Sequence, residues 1–366
     1  MLEILYIIDD LEPQYPRDQN YIIKYMLERG YDVTVVTTRS FSERYDQKIF
    51  YGAKIHRYPS IGRIGTIKIY SPNPLKLYRY YDVVHTFTFY TFSTIPASLV
   101  RAGVRVLRSE ISHPRAKRVW RGLTVFKPLT ELYKIRFDIV TAYNEREVES
   151  LLNLGFPRAK ILVLPPMIDT VRLRMARKDL GDEIVIGIIS RITPEKGIHM
   201  VPEILSELER LLEKDMGKLR VILAGRIENK DYGEAVINKL RKMMGNRFFY
   251  EGEIEDPVEF YKKIDILFFT STIETGAITV LEAMASEKLV VSRKVHPVDL
   301  YLRDMESGIL FRNPREAAEK LSLLLNDRKM IRNIQVKASE KASQHEYRIL
   351  CRKLEKAYKR SLVSKY

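Results

Sequence analysis

Apolar positions along this chain fall into two kinds of run that alternate from one end to the other. Short β-branched and aromatic runs such as "LEILYIID" (2–9), "YDVTVVTT" (31–38), "DVVHTFTF" (82–89) and "VRVLRSE" (104–110) read as strands. Between them "YIIKYMLERG" (21–30) and "IPASLVRAG" (95–103) carry helical spacing. A second series starts near residue 184 with "IVIGIIS", "HMVPEILSELERLLEK", "LRVILAG", "GEAVINKLRKMM", "RFFYEGEI", "PVEFYKKI", "DILFFTST", "KLVVS" and "GILF". Strands that are apolar on both faces, separated by helices, imply parallel sheets covered on each side. The pattern therefore predicts two doubly wound α/β domains in tandem, 1–170 and 171–345. The linker is expected within "LVLPPMIDTVRLRMARKDLGDE" (162–183), where a Pro-Pro break meets charged residues. From about 328 to the end the pattern is continuously helical, and about 346–366 is expected to complete the first domain. Ligands of doubly wound sheets bind beyond the carboxyl ends of the strands, so the expected site is a cleft faced by the two domains.

The totals exclude several classes. A length of 366 residues with 45% hydrophobic content suits two ordinary cores. Cys351 is the single cysteine, so no internal disulfide forms, no Cys/His cluster has zinc spacing, and a reducing cytoplasmic setting is expected. The run "MLEILYIIDD" is short and ends in two aspartates, and no stretch is apolar for about 18 residues, so neither a standard signal nor a membrane span is expected. Abundant Lys, Arg, Glu, Ile and Tyr suit a thermophile.

The net charge of +15 changes the picture once it is located. Residues 51–136 hold 16 Lys and Arg against 3 Asp and Glu, which argues for an acidic partner surface. Within that region Arg115, Lys117, Arg118, Arg121 and Lys127 interleave with Val119, Trp120, Leu123 and Phe126. Such a segment reads as a basic amphipathic surface for an anionic membrane, broken at Gly122 and Pro128. A core-packed helix with a solvated basic face competes with that reading. So does nucleic-acid binding through "FTFYTF" (87–92), although no RRM, KH, helix-turn-helix or zinc motif is present and no nucleic acid is expected.

Two strand-end motifs carry candidate chemistry. "SRITPEKG" (190–197) follows the strand "IVIGIIS" and puts Arg191, Lys196 and a helix opening at Gly197 at one strand end. Two cations and a helix N-terminus are what a diphosphate needs, with an ordinary solvated loop as the alternative. "ETGAITVLE" (274–282) follows the strand "DILFFTST". Eight residues along a helix turn through about 800°, so Glu274 and Glu282 miss a common face by roughly 80°. They read instead as a loop glutamate, a turn at Gly276 and a helix whose opening turns carry Glu282, with free N–H groups at its start. A surface glutamate and a helix-stabilising acid are the bland alternative.

The order of these motifs resembles the second domain of the GT-B glycosyltransferases of family 4, retaining enzymes that use nucleotide sugars. Arg191, Ile192, Lys196 and Gly197 match the first part of that pattern. Glu274, Glu282, Ala283, Met284 and Ala285 match the second. The resemblance covers nearly the whole chain, more weakly in the first half, where "DVVH", "YNEREVESLLNLG" and "LPPMID" look like less specific landmarks.

It implies a donor, a UDP- or GDP-sugar, whose diphosphate meets Arg191, Lys196, Gly197 and the amides of Ile278 and Thr279. Glu274, Thr275, Gly276 and Ala277 would meet the sugar and Glu282 the ribose hydroxyls, so the two acids would sit at opposite ends of one nucleotide sugar. Glu274, Glu110, His113 and His85 are the catalytic candidates, His85 because it ends the strand "DVVH", with a core role for His85 and a plain loop position for His113 as the alternatives. The chain departs from the family at Ser190, Ala277, Pro166, Met167 and in the loop "DDLEPQYPRDQN", and Glu110 stands nearest the place of a common active-site histidine.

There is no D-x-D motif. No metal or other cofactor is expected, and Arg191, Lys196 and helix dipoles would take the leaving-group charge. The acceptor side is expected to take a membrane lipid or lipid-linked glycan, with the protein peripheral on the inner face of the cell membrane. A nucleotide-sugar 2-epimerase or a non-catalytic basic binding protein are the alternatives.

Overall fold

The computed structural model describes residues 1–9, 17–38, 49–58, 60–64, 67–70, 79–87, 89, 93–109 and 126–365. They divide into two compact units, Met1–Met167 with Tyr347–Tyr366, and Ile168–Glu346.

In the first unit the strands are β1 (Glu3–Ile8), β2 (Asp32–Thr38), β3 (Ile49–Phe50), β4 (Ala53–Tyr58), β5 (Ser60–Ile64), β6 (Ile67–Tyr70), β7 (Tyr81–Phe87), β8 (Ala102–Arg108), β9 (Ile139–Ala142) and β10 (Ile161–Val163). β5 and β6 pair with each other, and the other eight form a sheet in the order β10-β9-β8-β7-β1-β2-β4-β3. Every pairing in that sheet is parallel except β3 with β4. Its helices are α1 (Asp18–Glu28), α2 (Thr94–Leu99), α3 (Phe126–Arg136) and α4 (Glu145–Asn153).

β1 shows why an unbroken apolar run is needed. Ile4, Tyr6 and Ile8 point to a core with Ile22, Ile23 and Met26 of α1, while Leu5 and Ile7 alternate to a core with Ala97, Tyr133 and Leu151 of α2, α3 and α4.

The second unit repeats the scheme with β11 (Ile184–Ile189), β12 (Leu219–Ala224), β13 (Phe248–Gly252), β14 (Ile266–Phe269), β15 (Leu289–Arg293) and β16 (Ile309–Phe311). All are parallel, in the order β13-β12-β11-β14-β15-β16. Its helices are α5 (Thr170–Leu173), α6 (Met200–Leu212), α7 (Lys230–Met244), α8 (Pro257–Lys263), α9 (Ile278–Ala285), α10 (Val298–Tyr301), α11 (Pro314–Leu325) and α12 (Arg328–Ala342). Val201, Leu205, Val236, Leu240 and Leu321 of α6, α7 and α11 cover one face of the sheet. Phe260, Tyr261, Val280, Leu281, Ala338 and Ala342 of α8, α9 and α12 cover the other.

The helical pattern after 328 is not continuous. α12 ends at Ala342, a 3₁₀ turn spans Ser343–His345, and α13 (Tyr347–Val363) follows in the first unit. The break is held by hydrogen bonds that a straight helix could not make: Ile168 N donates to His345 O at 3.0 Å. Thr170 donates from its amide at 2.9 Å and its hydroxyl at 2.6 Å to the Glu346 carboxylate. α13 then buries Tyr347, Leu350, Leu354 and Tyr358 in the core shared with α1, and Glu355 accepts from the Tyr25 hydroxyl at 3.0 Å.

Candidate active site

The second sheet reverses its order between β11 and β14, since β12 and β13 lie on one side of that pair and β15 and β16 on the other. Loops at the carboxyl ends of such a strand pair are the binding position of doubly wound sheets. Both candidate motifs lie there. Residues 190–197 leave the end of β11 and residues 270–277 leave the end of β14.

The two loops are fastened directly to each other. Thr272 donates from both its amide and its hydroxyl to Glu195 O, each at 2.9 Å, and the Thr270 hydroxyl donates to Lys196 O at 2.8 Å. Gly197 makes the approach possible: its φ is +63°, and a Cβ there would stand 2.2 Å from Thr270 O. Only glycine fits both demands. Gly197 closes a 3₁₀ turn over Pro194–Lys196, and α6 begins three residues later, at Met200, so the expectation that Gly197 opens a helix is corrected. The neighbouring strand joins in at Gly225, where a Cβ would stand 1.8 Å from Ser190 O.

The charged groups meet across this junction. Lys196 Nζ donates to Glu274 Oε1 at 2.5 Å, with both side chains largely buried. Arg191 donates to Glu228 at 2.7 Å and to Glu195 at 3.3 Å while 42% of its side chain stays exposed. Arg226 reaches the other oxygen of Glu228 at 2.9 Å. Burial would raise the Glu228 carboxyl, but the two guanidinium groups outweigh it and hold it below the usual carboxylate range.

Ala277 caps α9 in the left-handed region, at φ +45° and ψ +44°. The first helical bond runs from Val280 N to Ala277 O at 3.0 Å, which leaves the Ile278 and Thr279 amides ahead of the ladder. Tyr301 donates to Gly276 O at 3.1 Å and so fixes the turn before the helix.

Glu282 sits one turn into α9 and is only 5% exposed. Its Oε2 accepts from the Tyr261 hydroxyl at 3.0 Å. Burial raises its carboxyl to about 7, the Tyr261 hydrogen bond opposes that, and the charge of Asp256 adds to it.

The site therefore brings together Arg191, Lys196, Gly197, Glu274, Thr275, Gly276, Ala277, Ile278, Thr279 and Glu282 in the second unit. Chemically it offers two cations and two leading amides to an anion, with carboxylates for hydroxyl groups beside them. Glu228, Arg226, Tyr261, Tyr301, Thr270 and Thr272 belong to the same construction and were missed in the sequence. For Glu228 and Arg226 a signal existed, because they follow β12 at the same sheet edge. Tyr261 had none, since it falls on the apolar face of α8.

Other sequence candidates lie elsewhere. His85 does not end its strand, because β7 continues to Phe87. It is fully buried, stacked on Phe87, and its Nδ1 lies 2.6 Å from the Tyr358 hydroxyl of α13. Burial, with Arg108 adding, lowers its pKa well below the ordinary histidine value. Lys127 is exposed on α3. Glu110, His113, Arg115, Lys117, Arg118, Trp120 and Arg121 lie outside the described residues. Among the described residues no three His, Cys, Asp or Glu side chains group as metal ligands, and no helix is long and apolar enough to cross a membrane.

Known protein families match the chain along both of its halves. The family model described as "Glycosyltransferase Family 4" matches residues 20–172, and "Glycosyl transferases group 1" matches residues 173–342. The chain is 26% identical over 250 residues to an N,N'-diacetylbacillosaminyl-diphospho-undecaprenol alpha-1,3-N-acetylgalactosaminyltransferase of Campylobacter jejuni, across 63% of this chain and 64% of that one. It is 28% identical over 218 residues to a D-inositol 3-phosphate glycosyltransferase of Nocardia farcinica, across 55% of this chain and 48% of that one. The matches thus span about half to just under two thirds of these relatives. The crystal structure of the Anabaena protein HepE in complex with UDP and glucose shares the fold with a TM-score of 0.72 at 17% identity, covering 98% of this chain and 99% of that one. With one family model on each half and both motifs seated at the switch point of the second sheet, the chain belongs to the family 4 glycosyltransferases of the GT-B fold.

Proposed function

We propose that the protein transfers a hexose, with retention of anomeric configuration, from a UDP- or GDP-sugar to a hydroxyl of a membrane lipid or lipid-linked glycan. The observation that carries this reading is the junction of the β11 and β14 loops, where Arg191, Lys196, Glu274 and the α9 amides are held together. In it, Arg191 and Lys196 bind the donor diphosphate and take up negative charge as the sugar leaves. Lys196 exchanges its bond to Glu274 for a phosphate oxygen, and Glu274 accepts from the sugar hydroxyls. The Ile278 and Thr279 amides complete the anion site, and Glu282 receives the ribose hydroxyls. The departing phosphate oxygen accepts the acceptor's proton on the same face, so retention needs no protein nucleophile.

Support for the donor comes from the Anabaena neighbour, crystallised with UDP and glucose, and for the acceptor from the Campylobacter relative, named for a diphospho-undecaprenol substrate. The basic segment with Arg115, Lys117, Arg118, Trp120, Arg121 and Lys127 would dock the first unit on an anionic membrane, placing the protein peripherally on the inner face.

Thermal unfolding with UDP, GDP, ADP and their sugar conjugates, repeated in EDTA and with Arg191→Ala, tests the donor side. A ligand at 100 times its Kd adds about 2.7 kcal/mol to the unit it binds. A shift with one nucleotide family, kept in EDTA and lost in the variant, supports metal-independent diphosphate binding. No shift with any nucleotide sinks the reading. Product that forms only with an acceptor separates transfer from epimerisation.

A further inference from the structure

The Tyr261 hydroxyl is fully buried and lies between two acceptors, Glu282 Oε2 at 3.0 Å and Thr279 O at 3.2 Å. A phenol has one proton, so it can serve only one of them at a time. When Glu282 is ionised, the proton belongs to the carboxylate, the stronger acceptor. When Glu282 is protonated, its own O–H can donate to the Tyr261 oxygen, and the phenol proton is free to turn to Thr279 O. The carbonyl that feels this exchange lies in the first turn of α9, the turn whose amides the donor reading assigns to the diphosphate.

We propose that Tyr261 is a positioning residue that orients the Glu282 carboxyl, sets its proton occupancy and couples that state to the first turn of α9, making nucleotide binding depend on pH. The inference rests on the donor reading above and deepens it.

Three further observations support it. Burial of Glu282 brings its titration to about 7, inside the working range, and the Tyr261 hydrogen bond holds it lower than burial alone would. Tyr261 itself stays neutral, since burial, then the charge of Glu282, push its pKa well above the ordinary tyrosine value.

Among the described residues, no Lys or Arg pairs with Glu282 either. From α8 and its cap come Tyr261 and Asp256, and Asp256 is paired with Arg172 of α5 at 2.7 Å. On α8 Glu259, Lys262 and Lys263 are exposed. On α12 Arg328, Lys329, Lys337 and Glu340 are exposed, Arg332 pairs with Glu287, and Lys341 donates to Ser307. β14 is apolar, and on β15 the charged residue is Arg293, at its end.

The ribose diol of a nucleotide donates to an acceptor, so binding favours the ionised carboxyl. Affinity then rises with pH through the titration of Glu282 and levels off above it.

Isothermal titration with UDP-glucose and GDP-mannose from about pH 6 to about pH 8 tests this, because the phosphodiester groups of these donors do not titrate there. The wild-type protein should gain about tenfold in affinity across the interval. Glu282→Gln should bind more weakly at high pH with a flat profile, and Tyr261→Phe should keep the slope but move its midpoint upward. A Tyr261→Phe profile identical to wild type, beside a flat Glu282→Gln profile, overturns the inference and leaves the donor reading intact. A Glu282→Gln protein that binds as the wild type does overturns the ribose assignment. No binding of either donor overturns the donor reading itself.

A second measurement needs no Tyr261 variant. Carbonyl-labelled threonine with nitrogen-labelled valine isolates four Thr-Val pairs in the chain, Thr279–Val280 among them. The Thr279 carbonyl resonance should move with pH in the wild type and stay fixed in Glu282→Gln. A resonance that does not move in the wild type overturns the coupling.

Discussion

Each unit has a sheet with a switch point, between β1 and β7 in the first and between β11 and β14 in the second, and the described polar residues near the two differ in how far they are closed off. Among the described residues near β1 and β7, His85 and Arg108 are buried and each meets a partner inside the chain. His85 meets Tyr358, and Arg108 meets Asp18 in an ion pair where each residue is under 5% exposed. Asp18 also accepts from Met167 N at 2.7 Å, and the Arg108 guanidinium lies 4.3 Å from the centre of the Tyr143 ring. Around β11 and β14 Lys196 and Glu274 are also paired and largely buried, but Arg191 stays 42% exposed, shared between two carboxylates. Among the described residues, the first unit thus closes its charged pair off in the core, while the second leaves a guanidinium beside its strand ends partly open to solvent.

The largest effect that would break this contrast belongs to the buried pair. Arg108→Met leaves the buried Asp18 carboxylate without its guanidinium, with the Met167 amide still donating to it, and should cost the first unit about 3–5 kcal/mol. Adding Asp18→Leu should recover most of that loss. Denaturant titration of the single and double variants checks it. A single variant with wild-type stability would show that the pair is not structural.

Next comes Glu274→Ala, which should lower kcat by about 100- to 1000-fold, the usual cost of removing one group that acts on the transition state. Nucleotide affinity should be kept or rise, because Lys196 loses the carboxylate that competes with an anion for it. Steady-state kinetics with parallel calorimetry would decide. Near wild-type turnover removes Glu274 from the site.

The place of the second unit's candidate site was readable in the sequence because its residues are local, while the roles given to them came from the family resemblance. Arg191 and Lys196 lie five residues apart on one loop, and Glu274 and Glu282 follow one strand, so periodicity alone puts both groups at strand ends. The sequence could not show that Lys196 and Glu274, 78 positions apart, touch through Thr270, Thr272 and the absent Cβ of Gly197. It had set these two groups on different parts of the donor, and had read His85 as a strand end where the strand runs on to Phe87. The parallel sheets, both series of strands and most helices followed from apolar spacing. The break at 343–346 did not, because its cause is a carboxylate 176 positions from the threonine it binds.

A gentler probe uses the opposite acid–base character of the two cores. His85 is held neutral, its folded pKa below the unfolded value of 6.5. The unfolded chain takes up more protons, and the first unit loses up to about 1.4 kcal/mol per pH unit as pH falls below that value. Glu282 is raised from 4.5 to about 7. Its contribution is fully present below the lower value and is lost as pH rises through the upper one, about 3 kcal/mol in all. Hydrogen exchange resolved by peptide should show the first unit loosening toward acid and the second toward alkali. His85→Gln and Glu282→Gln should each flatten the response of their own unit alone. Parallel pH responses in the two units would contradict the contrast.

The smallest effect is expected at Ala277, where the family often has glycine. A left-handed alanine costs roughly 1–2 kcal/mol, so Ala277→Gly removes strain. It also removes a methyl group packed in the core beside Val280 and Leu281, worth about 0.8 kcal/mol, and frees the unfolded chain by about 0.4–1 kcal/mol. These terms nearly cancel, so stability should change by less than about 1 kcal/mol. The readout that matters is then nucleotide affinity. Without the methyl group the turn from Gly276 to Ile278 has more backbone freedom, so the leading amides should be less well ordered and binding should weaken by a few-fold. An affinity gain would mean that alanine obstructs the donor instead of fixing the loop that receives it.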